Sequence, residues 1–200
     1  SNARLLKELE QVNLPWSDSR DNVRPQGMTK IQSIPLGLVR DHTRGPTISK
    51  FAKNNPNLTR LLCKYLLERQ PNFRFMTIHL NKDFASKLHT DGNNATTSWI
   101  IGLGSYTGGE LFVMDPNGND SFPVEAPLRG FAELKPGSSV RGRKIDIRNR
   151  LTKIDGRIPH GTFPFRGTRF SIIFYTQGQH RAVSSQLLHR LKLLGVRFRH

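Results

Sequence analysis

The sequence predicts a mainly β chain of the α+β kind, an antiparallel sandwich or jelly roll with flanking helices. Three observations carry the prediction. Segments that alternate apolar and polar residues recur at short intervals between Gly, Pro and Asn turns. Helical spacing is confined to a stretch near each end and one at 57–69. The 17 glycines and 12 prolines among 200 residues exceed what a helical bundle usually carries, because both residues interrupt helices.

Each element has its own signal. Ser1, Asn2 and Ala3 have the form of a scar left by tag removal and are set outside the fold at 1–3. Leu5, Leu6, Leu9 and Val12 predict a short amphipathic helix over 4–12. Pro15, Pro25, Pro35 and Pro46 predict loops over 13–46, with one short strand near 31–39. Over 57–69 the residues Leu58, Leu61, Leu62, Tyr65 and Leu66 share a helix face, with Asn57 as cap and Pro71 as stop. After Pro71 the texture turns to β. Strands are expected at 73–80, 96–104, 108–115 and 168–176, and two short ones around a Pro-Gly turn at 130–140. The tail predicts a basic helix at 184–195, capped by Ser184 or Ser185 and stopped by Gly195. The expected organisation is one domain over 1–200: a helix-and-loop support at 4–72, a jelly-roll core at 73–177 and a basic C-terminal segment at 178–200.

Lys and Arg number 31 against 15 Asp and Glu, a formal net charge of +16, which favours an anionic partner. A single cysteine, Cys63, excludes an intrachain disulfide and a cysteine-rich zinc site. It fits a reducing compartment, so an intracellular location, nuclear or cytoplasmic, is expected. No run of 18 apolar residues occurs, so no membrane span is expected.

The stretch "KLHTDGNN" holds His89 and Asp91, and His160 follows in "RIPHGTFPFRGTRFSIIFYT". Residues two apart in an extended strand share a face, so His89 and Asp91 can both point inward. His160, on a distant strand, can supply a third ligand. Two imidazoles and a carboxylate on one face of a metal leave the other face open, which suits non-haem Fe(II). Ligand type alone does not choose iron over other divalent metals. Arg169 enters an apolar strand, with Phe170, Ile172 and Phe174 on one side and Arg169, Ser171 and Ile173 on the other. A buried arginine needs a partner, either a structural ion pair or the carboxylate of a small dicarboxylic acid. Arg166, beside Gly167 in a turn, competes for that role but is expected to meet solvent.

The order His-x-Asp, then the glycine-rich "YTGGELFV", then a histidine followed nine residues on by an arginine resembles the Fe(II)- and 2-oxoglutarate-dependent dioxygenases. The likeness covers 73–177, and the spacing to the arginine looks most like the prolyl hydroxylase type. A second likeness is to algal and protist oxygenases near the TET and J-binding-protein methylpyrimidine dioxygenases, although the spacing to the arginine is shorter here. The resemblance implies a double-stranded β-helix, that is, a jelly roll with flanking helices. It also implies Fe(II) held by His89, Asp91 and His160, and 2-oxoglutarate anchored by Arg169. 2-Oxoglutarate and dioxygen would be the co-substrates of a C–H hydroxylation. His79 is placed where related oxygenases set a side chain against the co-substrate. On the same face of its strand are Thr77 and Asn81, with Asn81 a further candidate. Asn93 and Asn94 follow Asp91 and can orient it, line the entrance or simply form the turn.

Arg141, Arg143, Lys144, Arg148 and Arg150 form a basic run, and Arg181, Arg190, Lys192, Arg197 and Arg199 add to it. Such a run is a solvated face or a surface for phosphates. Phe163 and Phe165 can stack on a base or pack in the core. The expectation is a nucleic-acid oxygenase acting on a pyrimidine methyl group or removing one from a damaged base. A peptidyl, prolyl-type hydroxylase and a non-enzymatic nucleic-acid-binding module are the alternatives.

Overall fold

The computed structural model describes residues 1–178 and 183–198. Helix α1 is Asn2–Glu10. It begins at Asn2 rather than residue 4, because the Ser1 side chain accepts the Arg4 amide and caps it. Short β1 (Trp16–Ser17) precedes the long β2 (Ile31–Asp41) and its hairpin partner β3 (Gly45–Ile48). Helix α2 (Lys50–Asn54), unforeseen in the sequence, is capped by Ser49. Helix α3 runs Pro56–Arg69, and its cap position is Asn55, not Asn57. Pro56 takes the first helical position, where its missing N–H costs nothing.

The β region contains β4 (Thr77–Lys82), β5 (Ser98–Leu103), β6 (Tyr106–Gly108), β7 (Leu111–Met114) and β8 (Asp120–Pro123). It continues through β9 (Ser139–Ile145), β10 (Thr152–Ile154), β11 (His160–Thr162), β12 (Phe165–Gly167) and β13 (Phe170–Tyr175). The single strand expected at 108–115 is split, since Gly108 and Gly109 both carry positive φ, 75° and 69°. The two strands expected at 130–140 are absent. That segment is a loop whose Leu128, Phe131 and Leu134 pack on Phe112 and Phe122. The strand instead starts at Ser139 and carries the basic run. Helix α4 (Ser185–Leu193) is capped by Ser184, the first of the two candidates.

A seven-stranded sheet has the order β1-β2-β4-β13-β5-β10, with β3 on β2. A four-stranded sheet has the order β11-β7-β9-β8, and β12 pairs with β6. Every strand pair is antiparallel. The large sheet begins before residue 73, because β2 pairs with β4 from Gln32↔Lys82 to Gly37↔Thr77.

Alternation decides what each sheet face meets. Ile78 and Leu80 of β4, and Phe170, Ile172 and Phe174 of β13, pack with Leu5, Leu62, Leu66 and Leu191 from α1, α3 and α4. The same strands turn His79, Asn81, Ser171 and Ile173 to the opposite face. There Ile100 and Ile154 meet Leu111 and Val113 of the smaller sheet. One face of the large sheet is thus sealed by helices, and the other, more polar face is free to build a site.

Candidate metal and co-substrate site

His89 and His160 face one another in an antiparallel bridge. The His89 amide donates to the His160 carbonyl at 2.9 Å, and the His160 amide donates back at 3.0 Å. The Asp91 amide donates to the Gly156 carbonyl at 2.7 Å. A Cβ at 156 would lie 2.9 Å from Asn94 Nδ2 and 3.3 Å from Asp91 Oδ2, so a larger residue there would press on both side chains. Backbone pairing thus converges three side chains that are far apart in sequence, and their ligand atoms lie within 4.8 Å of one another. Asp91 Oδ2 is 3.9 Å from His89 Nε2 and 3.4 Å from His160 Nε2.

Ring orientation is set from behind. His89 Nδ1 lies 2.7 Å from the Lys87 carbonyl, and His160 Nδ1 lies 2.8 Å from the Ile158 carbonyl. A carbonyl only accepts, so both Nδ1 atoms carry hydrogen and both Nε2 atoms turn toward Asp91. This is how a metal-binding imidazole is held. Burial, and then His160, press His89 down to about 3, so its ring is neutral. Burial opposes the Asp91 charge, but the His160 hydrogen bond and both imidazoles outweigh it and hold the carboxyl below the usual range. Burial likewise opposes a charge on His160, yet Asp91 outweighs it and raises that ring. A divalent cation among the three would take the place of the His160–Asp91 proton.

The triad lines a cavity of about 690 Å³ between the two sheets, within the range of about 300–1,000 Å³ usual for small-molecule sites. His79 and Asn81 line its wall beside Ser171. Ser33 donates to Asn81 Oδ1 at 2.6 Å, and Asn81 Nδ2 donates to Ser171 at 3.2 Å. Arg20 enters from the loop before β2, its Nη1 lying 2.6 Å from His79 Nε2 and 3.3 Å from Ser33. A guanidinium only donates, so His79 Nε2 is the acceptor. Burial and then the Arg20 charge hold His79 neutral, well below its ordinary value. Asn93 and Asn94 also line the cavity. Arg20 lay outside the sequence reading, since a polar loop carries no periodicity.

Arg169 is not part of the cavity lining. It lies two residues before Ser171 and is 3% exposed. Its amide donates to Asp83 Oδ1 at 2.8 Å, and its Nη2 to the Gly109 carbonyl at 3.0 Å. The guanidinium carbon is 5.5 Å from the centre of the Tyr106 ring and 5.8 Å from that of Phe165. No carboxylate pairs with it among the described residues, so the structural ion pair weighed from sequence is absent. Burial draws the guanidinium below its ordinary value and pushes the Tyr106 hydroxyl up. Arg169 Nε and the Tyr106 hydroxyl are buried without a hydrogen-bond partner among the described residues. The guanidinium and the hydroxyl lie close enough to shift one another's titration, but neither Nε nor the hydroxyl is satisfied, and an added acceptor would serve both. Tyr106 also escaped the sequence reading. Its hydroxyl occupies the space that a side chain at Gly102 would fill, a relation visible only in the folded chain.

Arg166 is exposed on β12, as expected. Phe163 packs on Phe112 and Phe122, and Phe165 on Tyr106, so both serve the core. None of Arg141, Arg143, Lys144, Arg148 and Arg150 lines the cavity. Arg143 pairs with Asp115 at 2.9 Å, Lys144 lies over Phe163, and Arg148 donates to the Tyr106 carbonyl at 2.7 Å. Arg181 and Arg199 lie outside the described residues. No helix among the described residues is long and apolar enough to cross a membrane.

No family model matches the chain, and no curated protein matches it in sequence. Several solved structures align with it, one of them with a TM-score above 0.5. An oxidoreductase of the 2OG-Fe(II) oxygenase family from Burkholderia pseudomallei aligns with a TM-score of 0.52 at 14% identity, over 86% of this chain and 76% of that one. NgTET1 in complex with 5mC DNA aligns with a TM-score of 0.49 at 12% identity, over 80% and 68% of the two chains. A Pseudomonas putida prolyl-4-hydroxylase aligns with a TM-score of 0.38 at 12% identity, over 88% and 84%.

Proposed function

We propose that the chain is an Fe(II)- and 2-oxoglutarate-dependent dioxygenase built on a jelly roll, hydroxylating a C–H bond on a nucleic-acid base. The observation that carries the reading is the convergence of His89, Asp91 and His160, with both Nε2 atoms aimed at the carboxylate. That donor set fits a divalent metal with open positions. Iron bound there would supply the activation of dioxygen that couples oxidative decarboxylation of 2-oxoglutarate to hydroxylation.

The protein's own groups do the rest. Lys87 and Ile158 carbonyls keep the imidazoles in the ligating tautomer. Arg169 and Tyr106 lie behind the cavity lining and hold two donors, one charged, that would suit the far carboxylate of a dicarboxylic acid reaching past that wall. Fixing that end orients the keto acid. Ile100, Leu111, Ile154 and Ile173 give the cavity an apolar wall, which keeps bulk water from the reacting atoms. The net charge of +16 favours a nucleic acid. The nine-residue step from His160 to Arg169 favours a peptidyl hydroxylase instead.

Succinate formation separates the readings. Iron-dependent turnover of 2-oxoglutarate, stimulated by methylated oligonucleotides and not by proline-rich peptides, is the expected result. Stimulation by the peptides alone would transfer the assignment to protein hydroxylation. Absence of turnover with either would leave only a binding module.

A further inference from the structure

We infer that Arg20, with Arg40 of β2, forms a phosphate-binding rim that holds the backbone of the nucleic-acid strand whose base enters the cavity. The inference rests on the dioxygenase reading and names the contacts that would select its substrate.

Among the described residues lining the cavity, Arg20 and Arg40 are cationic and only Asp91 is anionic. A divalent metal, the Asp91 carboxylate and a dianionic keto acid together carry one negative charge. With Arg20 and Arg40 the filled cavity lining keeps a net positive charge at its rim. The primary substrate is the molecule left to neutralise it.

Arg20 is anchored through Nη1 alone, to His79 at 2.6 Å and Ser33 at 3.3 Å. Its Nε and Nη2 have no hydrogen-bond partner among the described residues. Those two nitrogens form the edge of the guanidinium fork that takes a phosphate or carboxylate with two parallel bonds. The anchor is itself supported, because Ser33 and Asn81 are buried and bonded to each other. Arg20 is therefore half-buried and held with its free edge available, unlike a lysine waving in solvent. Arg40 is exposed and also lines the cavity, one residue pair from the turn of the β2–β3 hairpin. Asn22, Asn93 and Asn94 also line the cavity and offer the amide groups that read base edges. An acidic peptide could fill the same fork. The excess of 31 basic over 15 acidic residues favours an extended polyanion.

The test is fluorescence anisotropy of a short labelled single-stranded DNA with the Mn(II)- and 2-oxoglutarate-loaded protein. Wild type is compared with Arg20→Gln, Arg40→Gln and the Arg141→Gln/Arg143→Gln double variant. Arg20→Gln and Arg40→Gln should each weaken binding about tenfold and lower the salt slope by about one. The double variant should lose less, and DNA with uncharged methylphosphonate linkages should bind wild type and Arg20→Gln alike. Equal binding by wild type and both rim variants overturns the inference. So does an acidic peptide that competes for the rim more tightly than DNA. Stabilisation by Mn(II), read as a thermal shift in each variant, tests the metal site separately. Its absence from wild type would defeat the dioxygenase reading, whatever the DNA result. Arg20→Lys covers the case in which Arg20→Gln fails to fold: it keeps the charge but loses the fork, and should bind DNA with an unchanged salt slope and lower affinity.

Discussion

Replacing Tyr106 by Phe removes one oxygen atom from a side chain that is 4% exposed. That oxygen has no partner among the described residues, and neither has Arg169 Nε beside it. A buried polar group left unpaired costs about 1–3 kcal/mol. Removing it without opening a cavity should stabilise the protein in the absence of co-substrate. Taking about 1 kcal/mol, the melting temperature should rise by about 2–4 °C for a chain of this size. The effect on 2-oxoglutarate should have the opposite sign. A hydrogen bond to a charged group is worth about 1.5–3 kcal/mol, so affinity should fall by roughly 10- to 100-fold. Differential scanning fluorimetry with and without 2-oxoglutarate, at fixed Mn(II), reads both quantities in one experiment. A Tyr106→Phe protein that melts lower than wild type, or binds 2-oxoglutarate as tightly, would refute the reasoning.

Other perturbations give equally direct outcomes. Asp91→Ala should abolish metal-dependent stabilisation and 2-oxoglutarate turnover while circular dichroism stays unchanged; retained turnover would discard the triad. Gly109→Ala sets a Cβ 2.8 Å from Arg169 Nε at a φ of 69°. It should destabilise by about 1–2 kcal/mol from the backbone alone. It should also raise the 2-oxoglutarate requirement far more than the iron requirement, and steady-state titrations of each measure this. His79 is held neutral in the fold, whereas the unfolded chain takes its proton near pH 6.5. Below that pH the unfolded state binds the extra proton, so stability falls by up to about 1.4 kcal/mol per pH unit from this group. Urea melts from pH 7 down to pH 5 should therefore show a shallower decline in His79→Gln than in wild type.

Much of this architecture was written in residue order. The alternation through β4 and β13 puts His79, Asn81, Ser171 and Ile173 on the cavity face because a pleated strand has a period of two, whereas Thr77 and Arg169 fall outside the lining. The His-x-Asp pair and His160 were legible because their residue types carry metal chemistry. Their juxtaposition was not, since it depends on a backbone bridge between residues 89 and 160. Strand β9 was hidden because its Arg and Lys residues resemble a solvated run, although its pairing with β7 and β8 makes it a strand. The loop at 124–138 misled for the converse reason: Leu128, Phe131 and Leu134 are apolar because they cover the outer face of the smaller sheet. Tyr106 and Arg20 reach their places by crossing a turn and a loop, and neither path leaves a periodic trace.

In the proposed enzyme one metal sits among His89, Asp91 and His160, and the keto acid binds only once the metal is there. Anaerobic isothermal titration calorimetry reads both events. Fe(II) should bind at one equivalent per chain, and 2-oxoglutarate should give heat only with metal present. Both signals should vanish in His160→Ala. Keto-acid binding of equal strength without metal, or a metal isotherm unchanged in His160→Ala, would contradict the account.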